Sequence, residues 1–163
     1  MNITSKIITV SDFKKLSEKG IFDKKKIVFT NGCFDILHSG HVLYLQEAIS
    51  LGDILVLGLN SDSSVKRLKG KHRPINTEHD RAIVLSALSS INFIIIFNED
   101  NPYNLIKEIS PDVLVKGGDW DINDIIGSDI VQAKGGLVKS LAFKEGQSTS
   151  IILQKIKQQN ETT

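Results

Sequence analysis

Short apolar, largely β-branched runs alternate along this chain with segments whose apolar residues fall three and four apart. Ile27-Val28-Phe29 predicts a strand over about 27–30. Asp53 to Asn60 is almost continuously apolar, the pattern of a parallel strand buried on both faces. Phe93 to Phe97, Val113 to Val115 and Leu137 to Phe143 predict three more strands. Between them the helical period dominates. A helix over Asp12–Lys19 is expected, capped by Ser11 and ended by Gly20. Val42, Leu43, Leu45, Ala48 and Ile49 mark another, running to about Leu51 with Gly52 at its C-cap. Ser61-Asp62 opens a short helix to about Lys66. Thr77 and Asp80 form a reciprocal cap for a helix whose apolar side carries Ile83, Val84, Leu85 and Leu88. Pro102 suits the first turn of a helix over Tyr103–Ile109, and Ser110-Pro111 breaks it. Two more helices are expected, near Ile125–Ala133 and from Ser148 to about Lys157. Strand and helix in strict alternation imply an α/β fold: a parallel five-stranded sheet with helices on both faces and right-handed crossovers. One domain spans 1–163, with a helical lead-in over 1–24 and a frayed tail over 158–163.

Ligands of such sheets bind beyond the carboxyl ends of the strands. The residues placed there carry the candidate chemistry. After the first strand comes Asn31-Gly32-Cys33-Phe34-Asp35-Ile36-Leu37-His38-Ser39-Gly40-His41. This is a tight turn into a helix start, where free N–H groups and the helix dipole favour an anion such as phosphate. Gly32 permits the turn and a close backbone approach. Gly40 removes a side chain between His38 and His41, which at a spacing of three share a helix face. Two imidazoles beside amide donors make a clamp for a charged phosphate. After the fourth strand, Lys116-Gly117-Gly118-Asp119-Trp120 offers small residues against which a flat base can lie; Trp120 either stacks on a ligand or covers the core. After the fifth, Lys144-Glu145-Gly146-Gln147-Ser148-Thr149-Ser150 brings hydroxyls and free N–H groups to a helix start. The segment from Lys66 to Arg73 is basic, as a multiply charged phosphate substrate requires. The histidine turn, Asn60–Asp62, the Lys116-to-Trp120 turn and the Lys144-to-Ser150 loop are the four segments expected to converge on one pocket.

Composition narrows the function classes. A net charge of +1 over 163 residues argues against a nucleic-acid surface. The single cysteine excludes a disulfide framework, and Cys33, in the turn, reads as a small packing residue rather than a nucleophile. Met1–Val10 lacks the form of a signal peptide, and no apolar run reaches the roughly 20 residues of a membrane span, so a cytoplasmic protein without a membrane partner is expected. No GxxxxGK[ST] or GxGxxG pattern occurs, and the histidines lack further ligands at zinc spacing. Asp119-Trp120-Asp121 starts like a calcium loop, but Asp124 and Ile130 stand where that loop needs glycine and glutamate. No protein-held metal is expected.

The turn resembles the GxFDxxHxGH signature of the nucleotidyltransferase superfamily: Gly32, Phe34, Asp35, His38, Gly40 and His41 each match. Within it, Thr30 to Asp35, Leu68-Lys69-Gly70 with Arg73-Pro74-Ile75, and Val115 to Asp119 resemble the adenylyltransferase domain of bacterial heptose-phosphate enzymes. The resemblance covers about Lys25 to Ile156 and implies a Rossmann-like fold. It implies transfer of an adenylyl group from ATP, with nucleotide-bound Mg²⁺, to D-glycero-β-D-manno-heptose 1-phosphate. It assigns His38, His41, Lys69 and Lys144 to catalysis. Gly32, Cys33, Phe34, Asp35, Gly40, Lys116, Gly117, Asp119, Ser148 and Thr149 go to the nucleotide, and Arg73, Arg81 and Trp120 to the sugar phosphate; Arg81 either touches substrate or supports the basic loop. A homodimer and a separate heptose kinase are also implied, the product feeding lipopolysaccharide core or another glycan. Phe143 stands where cytidylyltransferases carry arginine. That departure counts against the runner-up, a CTP-dependent enzyme acting on glycerol 3-phosphate or another small phosphate. A non-catalytic nucleotide sensor is the third reading.

Overall fold

The structure, a computed structural model, describes residues 3–142 and 148–160. Five parallel strands, β1 (Ile27–Gly32), β2 (Ile54–Asn60), β3 (Phe93–Phe97), β4 (Val113–Gly117) and β5 (Leu137–Leu141), form one sheet in the order β3-β2-β1-β4-β5. The helices are α1 (Val10–Glu18), α2 (Ser39–Ile49), α3 (Asp62–Lys69), α4 (Glu78–Ser86), α5 (Tyr103–Ile109), α6 (Ser128–Ala133) and α7 (Thr149–Asn160). This is the α/β, Rossmann-like arrangement expected. Every residue of β2 is buried, which is why its sequence is continuously apolar rather than alternating. The sheet separates two apolar clusters. One joins Leu55, Leu57 and Leu59 to α2 and α4 through Tyr44, Leu45, Ala82 and Leu85. The other joins Phe29, Val56 and Leu114 to α1, α5 and α6 through Phe13, Ile106 and Val131. Among the described residues no helix is long and apolar enough to cross a membrane.

The departures from expectation have local causes. α1 is capped by Thr9, not Ser11: Thr9 Oγ1 accepts from Asp12 N–H, and the Asp12 carboxylate accepts from Thr9 N–H. β1 continues past Thr30 because Asn31 and Gly32 stay in register with Gly58 and Leu59. β4 likewise extends to Gly117 against Leu141, where β5 ends. α2 closes at Ser50, before Gly52. The helix expected over 125–133 is a 3-10 turn at Ile122–Asp124 followed by α6, because Gly127 adopts φ +86° and interrupts the helical path. α4 turns Arg81, Ala82, Leu85 and Ser86 inward; of the expected apolar side, Leu85 and Leu88 reach the core while Val84 is half-exposed. The predicted frayed tail begins too early, since residues 158–160 continue α7. At the other end, Ile7 pairs with Ile94 and attaches the lead-in to the β3 edge.

Gly58 leaves no room for a side chain: a Cβ there would stand 2.9 Å from Phe29 Cζ and 3.1 Å from Leu105 Cδ2. Gly58→Ala is therefore expected to cost about 1–3 kcal/mol through overpacking, read as a lower urea midpoint at unchanged slope.

Candidate active site

The parallel strands deliver all their carboxyl ends to one edge, and between β1 and β4 the strand order reverses. A cavity of about 580 Å³ opens there. Its wall brings together the turn Asn31 to Asp35 with His41, Asn60 after β2, Lys69 and Arg73, Lys116, Gly117 and Trp120, and Thr149 with Ser150 at the start of α7. The four segments thus converge. Lys144, with the rest of 143–147, lies outside the described residues.

The turn is built around an aromatic ring. Phe34 adopts φ +44°, a left-handed conformation uncommon for a bulky residue, and its buried ring sits 5.1 Å from that of His41. A Cβ on Gly32 would lie 2.8 Å from Phe34 Cε2. Glycine is thus required at 32 to admit the phenyl ring, a constraint beyond the ligand approach read from the sequence.

His38 is the N-cap of α2, with extended backbone, and its carbonyl accepts from His41 N–H and Val42 N–H. Gly40 is buried in the first turn between the histidines. The two imidazoles stack at 3.8 Å between centroids and 24° between planes. His41 lines the cavity; His38 stacks on it and is not on the wall. Both Nδ1 atoms are shut off from solvent without a hydrogen-bond partner among the described residues. Burial lowers the His41 pKa to about 4, helped by the neighbouring His38, and burial also lowers that of His38. The pair is neutral at pH 7.

The basic segment is anchored rather than loose. Asp35 is buried, and its carboxylate accepts from Arg73 Nε–H at 2.5 Å and from Ile75 and Asn76 N–H at 2.8 and 3.0 Å. Burial works to raise the Asp35 pKa, but the Asn76 and Ile75 amides and Arg73 outweigh it and hold the carboxyl below its ordinary value. Asp35 therefore spends its acceptors on residues 73–76. Arg81, fully buried, donates to Cys33 O at 2.5 Å, Asn76 O at 3.1 Å and Asp62 Oδ1 at 2.8 Å. Of the two readings left for it, loop support fits: its guanidinium ties three backbone segments together and is absent from the cavity wall.

Lys116 reaches Asn31 Oδ1 at 3.4 Å, and burial lowers its pKa, with Lys69 adding to the effect. Burial pushes the Cys33 thiol up, in keeping with a packing role. Trp120 is half-exposed, donates Nε1–H to Gly117 O at 3.1 Å and lines the cavity, so it does not cover the core. Asp119 is exposed and off the wall. Ser148 caps α7, its hydroxyl accepting from Ile151 N–H, while Thr149 and Ser150 face the cavity. Residues missed by sequence reasoning include Tyr44, with Asp100 and Asn101 on the loop after β3. Tyr44, bonded to Thr30 at 2.6 Å and pushed up to about 12 mainly by burial, sits on a helix face that reads as core. Position after β3 was the one available signal for the 100–101 loop.

Residues 29–155 match the model of the cytidylyltransferase-like family. The chain belongs to that family. Curated cytidylyltransferase-like relatives include bifunctional proteins HldE. The one from Campylobacter concisus is 54% identical over 96% of this chain and 32% of its own length. The one from Wolinella succinogenes is 51% identical over 93% of this chain and 31% of its own. The chain thus spans about a third of the length of these relatives. Among solved structures, a lipopolysaccharide core biosynthesis protein from Thermoplasma volcanium superposes with TM-score 0.61 at 30% identity, over 76% of this chain and 99% of that one. A pantoate-beta-alanine ligase from Francisella tularensis shares the fold, with TM-score 0.58 at 12% identity, over 88% of this chain and 68% of that one.

The depressed histidines make stability pH-dependent. Between about pH 6.5 and 4 the unfolded chain binds the proton that folded His41 refuses. This contribution is fully present above pH 6.5 and is lost as pH falls toward 4. Denaturant midpoints should fall across that window, and His41→Gln should flatten the slope.

Proposed function

We propose that this chain is an adenylyltransferase joining ATP to D-glycero-β-D-manno-heptose 1-phosphate, with ADP-heptose and pyrophosphate as products. One observation carries the reading: the stacked His38–His41 pair opens α2 beside a cavity lined by Lys69, Arg73 and Lys116 and by Thr149 and Ser150 at the start of α7. That cavity suits a phosphate chain flanked by two partners. The sugar-phosphate oxygen forms a bond to the α-phosphorus as the bond to the β-phosphate oxygen breaks, and the electron pair leaves with pyrophosphate. The nucleophile is already an anion, so no general base is needed. Catalysis is then positioning and charge stabilisation.

His41, with His38 stacked on it, donates to α- and β-phosphate oxygens as negative charge builds. Lys69 and Lys144 add positive charge. Amides of Gly32 to Phe34 and the α7 start at Ser148-Thr149 cradle the triphosphate. Lys116, Gly117 and Trp120 bound the nucleoside side. Magnesium enters with ATP as part of the substrate. Among the described residues no cluster of three or more His, Cys, Asp or Glu is placed to hold a metal ion. The bifunctional relatives are about three times longer. We assign to this chain the nucleotidyl-transfer step. The family resemblance further suggests a homodimer, which light scattering would test.

Pyrophosphate release should be measured over a grid of ATP, CTP, GTP and UTP against heptose 1-phosphate and glycerol 3-phosphate. Release confined to ATP with heptose 1-phosphate is the expected result. Release with CTP and glycerol 3-phosphate would overturn the substrates but keep the chemistry, and silence from folded protein would favour a sensor. His41→Ala is expected to stay folded by circular dichroism and to lose about 100- to 1,000-fold in turnover.

A further inference from the structure

Among the described residues the cavity wall carries two carboxylates, Asp35 and Asp100, and they differ in what they have left to offer. Every hydrogen bond that the Asp35 carboxylate accepts comes from residues 73–76. Asp100 stands on the loop after β3, its side chain 62% exposed. One of its oxygens accepts from Arg67 Nε–H at 2.5 Å, and the other accepts from no described residue. Asn101 lines the cavity beside it. Asn101 Oδ1 accepts from Tyr103 N–H at 3.1 Å, at the start of α5, while its Nδ2 amino group donates to no described residue. Two consecutive residues thus show the cavity an open acceptor and an open donor.

The loop that presents them is exposed and yet pinned. Phe97 O accepts from Ser61 N–H at 2.9 Å, and Asn98 Oδ1 accepts from Ser61 Oγ at 2.7 Å and from Ser63 Oγ. Arg67 Nη2 donates to Asn98 O, and Ser64 Oγ donates to Glu99 O at 2.9 Å. Ser61 and three residues of α3 therefore fasten the chain on either side of Asn98, and Asp100 meets a ligand without the cost of ordering its own loop. The sign of its charge says which part of a ligand it meets. Lys69, Arg73 and Lys116 on the same wall suit phosphate oxygens, which a carboxylate oxygen repels. A neutral hydroxyl donates to such an oxygen, and the Asn101 amino group donates in turn to a hydroxyl beside the first.

We propose that Asp100 and Asn101 read a pair of neighbouring sugar hydroxyls and so set the specificity of this site. This rests on the adenylyltransferase reading, which brings two sugars to the cavity, the ribose of ATP and the acceptor. Both offer the same chemistry, adjacent hydroxyls on a ring, and binding measurements tell them apart. A carboxylate that was surface charge alone would behave in the opposite way. Neutralising it would leave the binding of these anions unchanged or strengthen it, whereas losing a hydroxyl reader weakens it.

Two variants test it. Asp100→Asn keeps an oxygen for Arg67 and turns an amino group toward the cavity. Asn101→Asp keeps the oxygen that accepts from Tyr103 N–H and removes the amino donor. Calorimetry would titrate ATP, and separately heptose 1-phosphate in the presence of α,β-methylene-ATP. In both variants Kd should rise about tenfold or more for one ligand and stay within about twofold of wild type for the other. A loss confined to ATP, and absent with 2′-deoxy-ATP or 3′-deoxy-ATP, assigns the pair to the ribose. A loss confined to heptose 1-phosphate, with inhibition by inorganic phosphate unchanged, assigns it to the acceptor. Unchanged or tighter binding of both ligands, or equal losses on both, overturns the proposal. So does a loss on ATP that both deoxynucleotides share, or a loss on the sugar phosphate that inorganic phosphate shares. Both side chains are exposed, so the variants should fold, as circular dichroism would check. Wild-type chain that binds ATP but no sugar 1-phosphate overturns heptose 1-phosphate as the acceptor, and the ATP titrations then decide this proposal alone. Wild-type chain that binds neither overturns this proposal and the adenylyltransferase reading together.

Discussion

Everything functional in this molecule hangs on the carboxyl end of β1. It is the central strand of an all-parallel sheet, so its neighbours β2 and β4 leave in opposite directions along the sheet. That reversal opens a crevice which neither flanking layer can cover. A parallel sheet also delivers every post-strand segment to the same edge. Chemistry scattered between residues 31 and 150 is thereby gathered at one cavity without any element leaving its layer.

The site is held open by buried polar bonds. Asp35 and Arg81 are both almost inaccessible, and between them they fasten Cys33, Asp62 and residues 73–76 to one another. Buried charges persist only when their donors and acceptors are satisfied, and here they are. The consequence is mechanical: the segment carrying Arg73 cannot drift from the turn carrying the histidines. Preorganisation of this kind spares the ordering cost that a mobile cationic loop would incur on binding.

Charge is handled in the opposite way at the histidines. Their stacked rings are poorly solvated and each has a buried Nδ1 without a partner among the described residues. Burial also lowers the Lys116 pKa. The cavity thus combines cations on its wall with a stacked pair of neutral imidazoles beside it.

The sequence by itself determined the layers and the place of the site. Continuous apolar runs require strands covered on both faces, and glycine turns before helix starts mark where anions bind, because both are local properties of consecutive residues. The histidine turn, the basic segment and the α7 start were all legible for that reason. Local pattern could not separate side chains that touch a ligand from those that hold the ones that do. The family resemblance assigned Asp35 to the nucleotide and left Arg81 open between touching substrate and supporting the basic loop. Only the tertiary structure brings Asp35 to residues 73–76 and Arg81 to Cys33 and Asp62. Those contacts join residues about 20 to 50 positions apart, and no periodicity encodes them. The same holds for Gly32, whose necessity comes from a phenyl ring folded back over it, and for Trp120, which only the placement of β4 beside β1 sets at the cavity wall.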